Sequence, residues 1–535
     1  MRPPPNASAS RRLALFASFS ILPFALPAAD AQDNFDVLGI LDPFAQQAYF
    51  KPVVATLDQD GNFFGFSVAA SGDTIVVGAP RAGNLATQGF QGGAAYVFVR
   101  SGATWIQQAR LLPAAIGQWN TQDWFGWSVA ISGDTIVVGA INEDSNSTGI
   151  NSVPDELSEE AGAAYVFVRN GTTWTQQAYL KPGAIGSFQV REQFGISVAV
   201  SGDTVVVGAH GESSSTTGVN SEPNEGAGLS GAAYVFVRSG TTWTQQAYLK
   251  PAEVGASQAL DRFGYSVAVS GDIVAVGAKD EDSSSTGVNS VPNEGASFAG
   301  AVYVFARTGS TWSQEAYLKP GAVRGTQSSA NFGWSVAASG ATVVVGAHQE
   351  SSGTTGVNTV PDNEAPSSGA AYVYVREGSA WTQQAYLKPA AVGTTQSLDG
   401  FGSSVALSGD ILVVGARGED SSTTGVNTEA NEDASRSGAA YVFVRSGTTW
   451  VQQAYLKPAA VGTTQAEDEF GFSAAISGDT VAVGAFREDS ATNGVNTTPN
   501  ESSVDSGAAY IFVTVPLFAD GFESGDTIAW SSVEP

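Results

Sequence analysis

The feature that most constrains the fold is a repeat of fixed length. The stretch FGISVAVSGDTVVVGA, from Phe194 to Ala209, recurs in near-copies along the chain. The Phe-Gly pairs that open these copies begin at Phe64, Phe125, Phe194, Phe263, Phe332, Phe401 and Phe470. The first step is 61 residues and each of the next five is 69 residues. A fixed period of this kind indicates an array of one repeated supersecondary unit.

Each repeat contains four runs that are typical of strands. In the third copy they are SVAVS from Ser197, TVVVGA from Thr204, GAAYVFVR from Gly231 and WTQQAYLKP from Trp243. The second run is apolar throughout, which indicates a strand covered on both faces. The fourth run alternates, with Trp243 and Leu249 on one side and Tyr248 and Lys250 on the other, which suits a strand with one wetter face. We therefore predict the fourth run outermost and the SVAVS run innermost.

The ends of the repeated region complement each other. The last repeat stops near Val513 without its own fourth run, and a copy of that run, QQAYFKP, stands at residues 46–52. A strand from the opposite terminus that completes the last blade would remove an open sheet edge. The sequence therefore predicts an all-β fold: a seven-bladed β-propeller with four antiparallel strands per blade over residues 46–515.

The repeated words carry a family resemblance. The Phe-Gly pair followed by Gly78-Ala79-Pro80, or by Gly-Ala in the other copies, resembles FG-GAP repeats. Such repeats form the propeller of integrin α-chains and occur in many secreted bacterial proteins; the short SGDT turn here is closer to the bacterial variety. In the integrin type, a DxDxDG-like calcium loop joins the first two strands. Here that link is only Ser-Gly-Asp, so the metal ligands of the family are not transferred to this chain.

The segments outside the propeller suggest export. Arg11 and Arg12 precede an apolar run over residues 13–27 and the small residues Ala29-Asp30-Ala31, which together predict a signal peptide over residues 1–31. Residues 32–45 form an N-terminal lead. Residues 516–535 resemble the DGFESGDT-type tail of secreted bacterial proteins, for which a sorting role is implied. We expect a secreted or cell-surface protein of a Gram-negative bacterium, without a transmembrane segment.

The charge restricts the partners. The chain has 51 acidic and 24 basic residues, a net charge of -27 and no cysteine. This balance disfavours nucleic acid and anionic membranes as partners, because both select a positive surface. Without cysteines no disulfide contributes to stability, so sheet packing has to.

The acidic residues are concentrated in one kind of loop. Antiparallel connectivity places the tight one-to-two and three-to-four turns on one face and the longer loops on the other. In six copies the two-to-three loop carries an insert that begins at Glu143, Glu212, Glu281, Glu350, Glu419 and Glu488. These six inserts hold 25 of the 51 acidic residues.

Three interpretations of the inserts remain open from the sequence. They could be solvated linkers that keep the protein soluble, a binding rim for a cation or basic partner, or a Ca²⁺ site. The candidate Ca²⁺ ligands are Glu143, Asp144, Asp280, Glu281, Asp282, Glu419, Asp420, Glu488 and Asp489.

The other repeated residues have structural interpretations. We predict the phenylalanine of each FG pair to be a core wedge between blades. The glycine after it is predicted to allow positive φ or close backbone approach. Asp203 and its equivalents are predicted to bond the turn backbone. The arginines that end the third strands, such as Arg238, are predicted to be solvated or to contact the turn.

Catalysis finds little support in the sequence. The two histidines, His210 and His348, occupy a loop position that is Lys279 in another copy, so neither resembles a dedicated base. No nucleophile or acid–base pair is singled out by near-identical repeats. The sequence favours a non-enzymatic binding or adhesion module, monomeric, with an extracellular protein or glycan as its ligand. The alternatives are a structural surface protein with solubilising loops, or a propeller hydrolase or lyase.

Overall fold

The computed structural model describes residues 44–53, 59–83, 92–114, 122–155, 157–183, 191–321, 328–390, 393 and 395–515. The predicted signal peptide and the predicted sorting tail both lie outside the described residues. Every regular element in the described ranges is a β-strand.

Seven four-stranded sheets make up the fold. In six of them the strands follow chain order, with the first strand innermost and the fourth outermost. The strands of blades 1 to 3 are β2 (Ser67–Ser71), β3 (Thr74–Ala79), β4 (Ala94–Ser101), β5 (Thr104–Leu111), β6 (Phe125–Ser132), β7 (Thr135–Ala140), β8 (Ala163–Asn170), β9 (Thr173–Leu180), β10 (Val198–Ser201), β11 (Thr204–Ala209), β12 (Ala232–Ser239) and β13 (Thr242–Leu249).

The strands of blades 4 to 6 are β14 (Phe263–Ser270), β15 (Ile273–Ala278), β16 (Ala301–Thr308), β17 (Thr311–Leu318), β18 (Ser335–Ser339), β19 (Thr342–Ala347), β20 (Ala370–Glu377), β21 (Ala380–Leu387), β22 (Phe401–Ser408), β23 (Ile411–Ala416), β24 (Ala439–Ser446) and β25 (Thr449–Leu456). Blade 7 consists of β26 (Ser473–Ser477), β27 (Thr480–Ala485), β28 (Ala508–Thr514) and β1 (Phe44–Phe50). The prediction of a seven-bladed propeller with four antiparallel strands per blade is confirmed.

The strand from the N-terminal end completes blade 7. β1 pairs antiparallel with β28, so that Phe44 lies opposite Thr514 and Phe50 lies opposite Ala509. The sheet order is β1-β28-β27-β26, with β1 outermost. Blade 7 therefore has the same four strands as the others, although its outer strand comes from the other end of the chain.

The core lies between neighbouring blades. Phe194, like its six equivalents, is fully buried, and its ring packs edge-on against Tyr234 at 5.4 Å. The cluster around it takes Val137, Val166 and Leu180 from blade 2 together with the strands of blade 3. Each FG phenylalanine thus fills the wedge between one sheet and the next, where an aromatic side chain buries a large apolar area.

Two glycines of the repeat show why the motif cannot vary there. Gly195, which follows the phenylalanine, has a φ of 93°, a conformation that side chains rarely adopt. Gly208, in the GA pair, lies so close to the next blade that a Cβ would stand 1.9 Å from the carbonyl oxygen of Gly264. The FG and GA pairs therefore meet where adjacent blades have their backbones in contact.

Serine side chains link the innermost strands at both of their ends. At one end Ser197 Oγ donates to the carbonyl of Gly264 in the next blade, at 2.9 Å. At the other end Ser201 Oγ accepts from the backbone N–H of Gly271, at 3.1 Å. Equivalent bonds of both kinds occur at all seven junctions, including blade 7 to blade 1 through Ser473 and Ser477. The ring is thereby closed by hydrogen bonds as well as by apolar packing.

The fourth strand departs from simple alternation. Its pairing register shifts so that Phe236 lies opposite Gln245 while Val235 lies opposite Ala247, which leaves Gln246 as a bulged residue. The bulge turns Gln246 toward the next blade, where its Oε1 accepts from Trp312 Nε1 at 2.8 Å. Beyond the bulge the strand is buried on both faces, so the predicted wetter face is absent at Leu249 and at Tyr248 and Lys250 alike.

Candidate functional site

The inserts cover the outer edge of the fourth strands. In blade 3, Val219 forms a bridge with Leu249, and the backbone N–H of Asn220 donates to the carbonyl of Tyr248 at 2.8 Å. Asn220 Oδ1 accepts the N–H of Tyr248 in return, at 2.9 Å. The same contacts recur in the other five blades with an insert. The TGVN part of each insert is therefore an ordered edge segment, which explains why the end of the fourth strand is buried.

The first glutamate of each insert is buried in a node with a lysine and a tyrosine from the fourth strand. In blade 2, Lys181 Nζ donates to Glu143 Oε2 at 3.0 Å and the Tyr179 hydroxyl donates to Oε1 at 2.7 Å. The lysine is fully buried and also donates to the carbonyls of Ser145 and Gly162. The equivalent pairs are Lys250–Glu212, Lys319–Glu281, Lys388–Glu350, Lys457–Glu419 and Lys51–Glu488.

Burial dominates the electrostatics of this node. It lowers the pKa of each lysine more than the paired glutamate raises it, so that the pKa of Lys388 is about 8. Burial also raises the pKa of Glu350 and Glu419. A buried pair of this kind adds little net stability but is costly to break on one side, because the remaining charge has no partner. The node therefore ties each insert to its own blade.

Blade 1 shows that insert and lysine occur together. It is the one repeat without an insert, and its fourth strand has Arg110 and Leu112 where the others have tyrosine and lysine. Arg110 instead donates to the carbonyl of Gly83 in the shorter loop, at 2.6 Å. This co-occurrence is visible in the sequence and was the signal that could have predicted the node.

The nine candidate Ca²⁺ ligands all have protein partners. Glu143, Glu281, Glu419 and Glu488 belong to the lysine nodes. In four inserts the aspartate after the glutamate accepts a backbone N–H sixteen residues further on and closes the loop; these are Asp144, Asp282, Asp420 and Asp489. Asp280 pairs with Lys279 at 2.7 Å and with Arg262 at 3.3 Å. A cation would have to displace these contacts, and among the described residues no group of three or more His, Cys, Asp or Glu is arranged to hold a metal ion.

A second carboxylate is buried beside several nodes. Glu192, Asp261, Asp399 and Asp468 each stand two residues before an FG phenylalanine. Burial, reinforced by the node glutamate of the same blade, raises their pKa to about 8, or about 9 for Asp468. Blade 5 has Ala330 at this position. These groups therefore favour the protonated form near neutral pH.

The tight-turn face carries a different ionic contact. Arg238 Nε donates to Asp203 Oδ1 at 2.7 Å, so the carboxylate of the SGD turn binds the strand-end arginine rather than the turn backbone. The same pair forms in blades 1, 2, 4 and 6. Blade 5 has Ala341 instead of the aspartate, and there Arg376 binds Glu315, which replaces the bulged glutamine of the preceding blade.

Three positions that differ from blade to blade converge on the axis of the ring, at the loop face. The residue after each FG pair is Phe66, Trp127, Ile196, Tyr265, Trp334, Ser403 or Phe472. All seven line one cavity of about 160 Å³, so this cavity lies on the pseudo-symmetry axis. The residue after each GA pair and the residue before each FG pair stand at the same end of the inner strands. We call the residues at these three positions the axial site.

One side of the axial site is aromatic. Phe66 of blade 1 lies 4.4 Å from Trp127 of blade 2 and 4.9 Å from Phe472 of blade 7, measured between ring centroids. Phe486 packs on Phe472 at 4.3 Å with the two rings tilted, and Trp124 is parallel to Trp127 at 5.3 Å. We call these residues of blades 7, 1 and 2, together with Phe63, the aromatic sector.

The other side carries bases. His210, Arg262, Lys279, His348 and Arg417 come from blades 3 to 6 and form the basic sector. Lys279 Nζ lies 5.0 Å from the Tyr265 ring, and the Arg417 guanidinium lies 5.7 Å from the Trp334 ring. This sector is positive although the whole chain is strongly acidic.

The pKa values of the two histidines in the basic sector reflect the positive charges around them. Burial, together with the charges of Arg417 and Lys279, lowers the pKa of His348 to about 3. His210 has a pKa of about 3 for the same reasons, with Arg262 and Lys279 as the bases. Both imidazoles are therefore neutral at physiological pH, and the His348 ring packs on Trp334 at 3.9 Å.

A second cavity adjoins the axial one at blade 6. It measures about 390 Å³ and is lined by His348, Gly400, Arg417, Gly418 and Arg436, among others. Arg417 borders both cavities. Blade 6 has Ser403 and Gly400 where most blades have large side chains, so the side chains around the axial site are smallest in this blade and leave the site open there.

Sequence reasoning missed the axial site, although a signal was present. The near-identity of the blades directs attention to the repeated residues, which form the scaffold. The positions beside FG and GA are where the blades differ, from Phe to Ser and from Pro to Arg. In the sequence His210 and His348 do not resemble a dedicated base because their position is Lys279 in another copy, and the structure brings that variable position to the axis.

Fold and site together define this protein as a seven-bladed β-propeller with an elaborated loop face and an asymmetric axial site. The FG-GAP repeat model matches residues 54–98, 105–167, 174–236, 243–305, 312–374, 381–443 and 450–512. The chain therefore belongs to the FG-GAP repeat family. A comparison with curated proteins gave no match. In the part of the chain that the structure describes, no helix is long and apolar enough to cross a membrane.

Proposed function

We propose that this protein is a secreted or surface-associated binding module, without catalytic activity, that recognises its ligand on the loop face. The observation that carries the proposal is the location of the differences between blades. Seven near-identical sheets form a rigid support, and the positions that vary meet at one place, the axial site. Binding residues commonly stand on loops that a rigid scaffold positions.

The acidic inserts supply the rim of this face. Their node glutamates are buried, but other insert carboxylates such as Asp433 remain exposed. A ring of such charges around a positive centre repels anions at the rim and attracts them at the axis. An anionic ligand that also carries a basic group is favoured at both places. A structural role for the inserts is compatible with this arrangement, because the same loops shield the outer strand edges.

Several properties favour binding over catalysis. Lys279 and Arg262 are held by Asp280, and the two axial histidines are neutral and buried. No carboxylate pair or activated nucleophile lines either cavity in the described ranges. An extracellular location is supported by the family and by the signal-like N-terminus.

A binding array tests the proposal. The purified protein would be applied to extracellular-matrix proteins and to acidic, neutral and basic glycans. We expect a specific ligand whose binding is lost in Trp334→Ala and kept in Val360→Ser, a substitution at an exposed insert position that lines neither cavity. If Trp334→Ala still binds the ligand and substitution of insert carboxylates abolishes binding, the binding site lies at the rim and not at the axis. Absence of any ligand on the array would refute the proposal.

A further inference from the structure

We propose that the axial site binds a six-membered ring that carries a carboxylate, with the ring in the axial cavity and the carboxylate at Arg417. This inference rests on the proposed binding function and specifies the chemical class of the ligand. It follows from the size of the cavity, from the character of its walls and from the state of one arginine.

The axial cavity has the size of one ring. An apolar cavity of about 150 Å³ holds a benzene molecule, so about 160 Å³ accommodates a single six-membered ring with few substituents. Its walls include Phe66, Trp127, Tyr265 and Trp334, whose flat faces suit a planar or chair-shaped ring. A pocket of mainly apolar walls with a few directed polar groups is the usual form of a small-molecule site.

Arg417 differs from the other bases around the axis. Lys279 and Arg262 share Asp280, and Arg436 and Arg487 share Glu469. Arg417 contacts the rings of Trp334 and Phe472 but forms no ion pair or hydrogen bond with any residue in the described ranges. Its half-buried guanidinium therefore retains its donors, and a planar fork of N–H groups matches a carboxylate bidentately.

The surroundings favour an anion over a cation at this point. Glu469, which interacts with the charge of Arg417, is already bound by Arg436. Asp420, which also borders the side cavity, accepts the backbone N–H of Arg436. A ligand cation would meet Arg417 and Lys279 with no free carboxylate beside them.

The lowered wall at blade 6 gives the ligand a path outward. Gly400, Gly418 and Ser403 leave the side cavity of about 390 Å³ open next to Arg417. A substituent or a second ring attached to the first would extend into it. The geometry therefore suits either an aromatic acid or the terminal uronic acid of a longer chain, because both have a six-membered ring that carries a carboxylate.

Calorimetric titration of the purified protein tests the inference. The probes are glucuronate, galacturonate and 4-hydroxybenzoate, with glucose and phenol as neutral partners and glucosamine as the ring of opposite charge. We expect at least one carboxylated ring to bind, and its neutral partner to bind more weakly. The uronates and the benzoate separate the two sources of the ligand.

Variants locate the site. Arg417→Gln should weaken binding about 10- to 100-fold, the effect of losing a charge-assisted bidentate contact. Ser403→Trp should also weaken it, by filling the opening. Arg191→Gln is the matched control, since Arg191 is exposed and paired with Glu159 away from the cavities. Circular dichroism and melting curves check that each variant is folded.

The outcomes separate the two proposals. If the array finds a ligand but carboxylated rings bind no better than neutral or basic ones, the inference is overturned and the binding function stands. The inference is also overturned if a carboxylated ring binds equally well to wild type, Arg417→Gln and Ser403→Trp. If neither the array nor any probe gives binding, both proposals fail.

Discussion

Lys51 Nζ lies 2.9 Å from Glu488 Oε2, although the two residues are 437 positions apart. The contact joins the strand that completes blade 7 to the insert of the same blade. Tyr49 donates to the same carboxylate at 2.8 Å, and Lys51 also donates to the carbonyl of Gly507. The ring is therefore closed by the same node that fixes the inserts elsewhere.

Breaking this node should loosen the closing strand. We expect Lys51→Met to destabilise the protein by about 3–5 kcal/mol, because Glu488 is left buried without its cation. Lys250→Met in blade 3 is the matched control and should cost a similar amount. β13 is held by a turn to β12, whereas β1 has no such turn, so only Lys51→Met should strongly reduce hydrogen-exchange protection in the outer strand. Equal loss in β1 and β13 would contradict this view of closure.

Shortening an insert should require a second change. Replacing the blade 3 insert by the short loop of blade 1 removes Glu212 from Lys250 and uncovers the edge of β13, and we expect a loss of about 1–3 kcal/mol in the free energy of unfolding, because buried polar groups lose their partners. Adding Tyr248→Arg and Lys250→Leu, the residues of blade 1, should restore most of it. Denaturant unfolding measures the difference; no recovery in the combined variant would show that the insert is needed for other reasons.

In blade 5 an aspartate in the turn should be able to replace Glu315 as the partner of Arg376. Glu315→Gln removes the only carboxylate that the structure shows on Arg376, and we expect a loss of about 1 kcal/mol, since the pair is partly exposed. Ala341→Asp in the same protein recreates the turn contact of the other blades and should recover the loss. A double-mutant cycle measures the coupling, which would be near zero if the two carboxylates did not substitute for each other.

Stability should fall between pH 6.5 and 8.5. The pKa of Glu192, Asp261 and Asp399 is raised to about 8 and that of Asp468 to about 9, whereas the unfolded chain has values near 4. The folded state thus holds more protons, and the stability from these groups is full below pH ~4 and lost as the pH rises through ~8 to ~9.

Other groups limit the window in which this fall is clear. The pKa of His210 and His348 is lowered to about 3, so their contribution rises with pH only below about 6.5. Lys388, with a pKa of about 8, and the other five node lysines, whose pKa burial also lowers, oppose the four acids where they titrate, so the slopes of the variants relative to the wild type carry the test. Melting temperatures across pH 6.5 to 8.5 test the prediction. Ala330→Asp should steepen the fall, Asp261→Asn should flatten it, and a rise in the wild type would contradict it.

The repeat determined most of the fold in advance. Strand number, strand order and closure by residues near Tyr49 all follow from counting copies of the four runs. The burial of Lys250 could not be read from its strand alone, because alternation describes two faces of a sheet and not a loop that folds over one of them. The bulge at Gln246 is likewise invisible to a period of two.

The axial site was less accessible to sequence reasoning. Ser403 and Trp334 look like unrelated exceptions in a linear alignment of repeats, and only the ring places them around one cavity. Arg417 is one base among 24, and its importance comes from the pairing of its neighbours, a property of three-dimensional contacts. The variation beside the FG pairs was present in the sequence and could have been weighed.

The closing strand also sets an order of events. Among the described strands β1 is synthesised first and its partner β28 last. Phe44 can therefore pair with Thr514 only after β28 has been made. Loop closure over so many residues is entropically costly and slow compared with pairing inside a blade. The ring therefore cannot close before β28 has been synthesised, and a chain that stops before β28 lacks the partner of β1. The topology therefore makes closure of the ring a late step of folding.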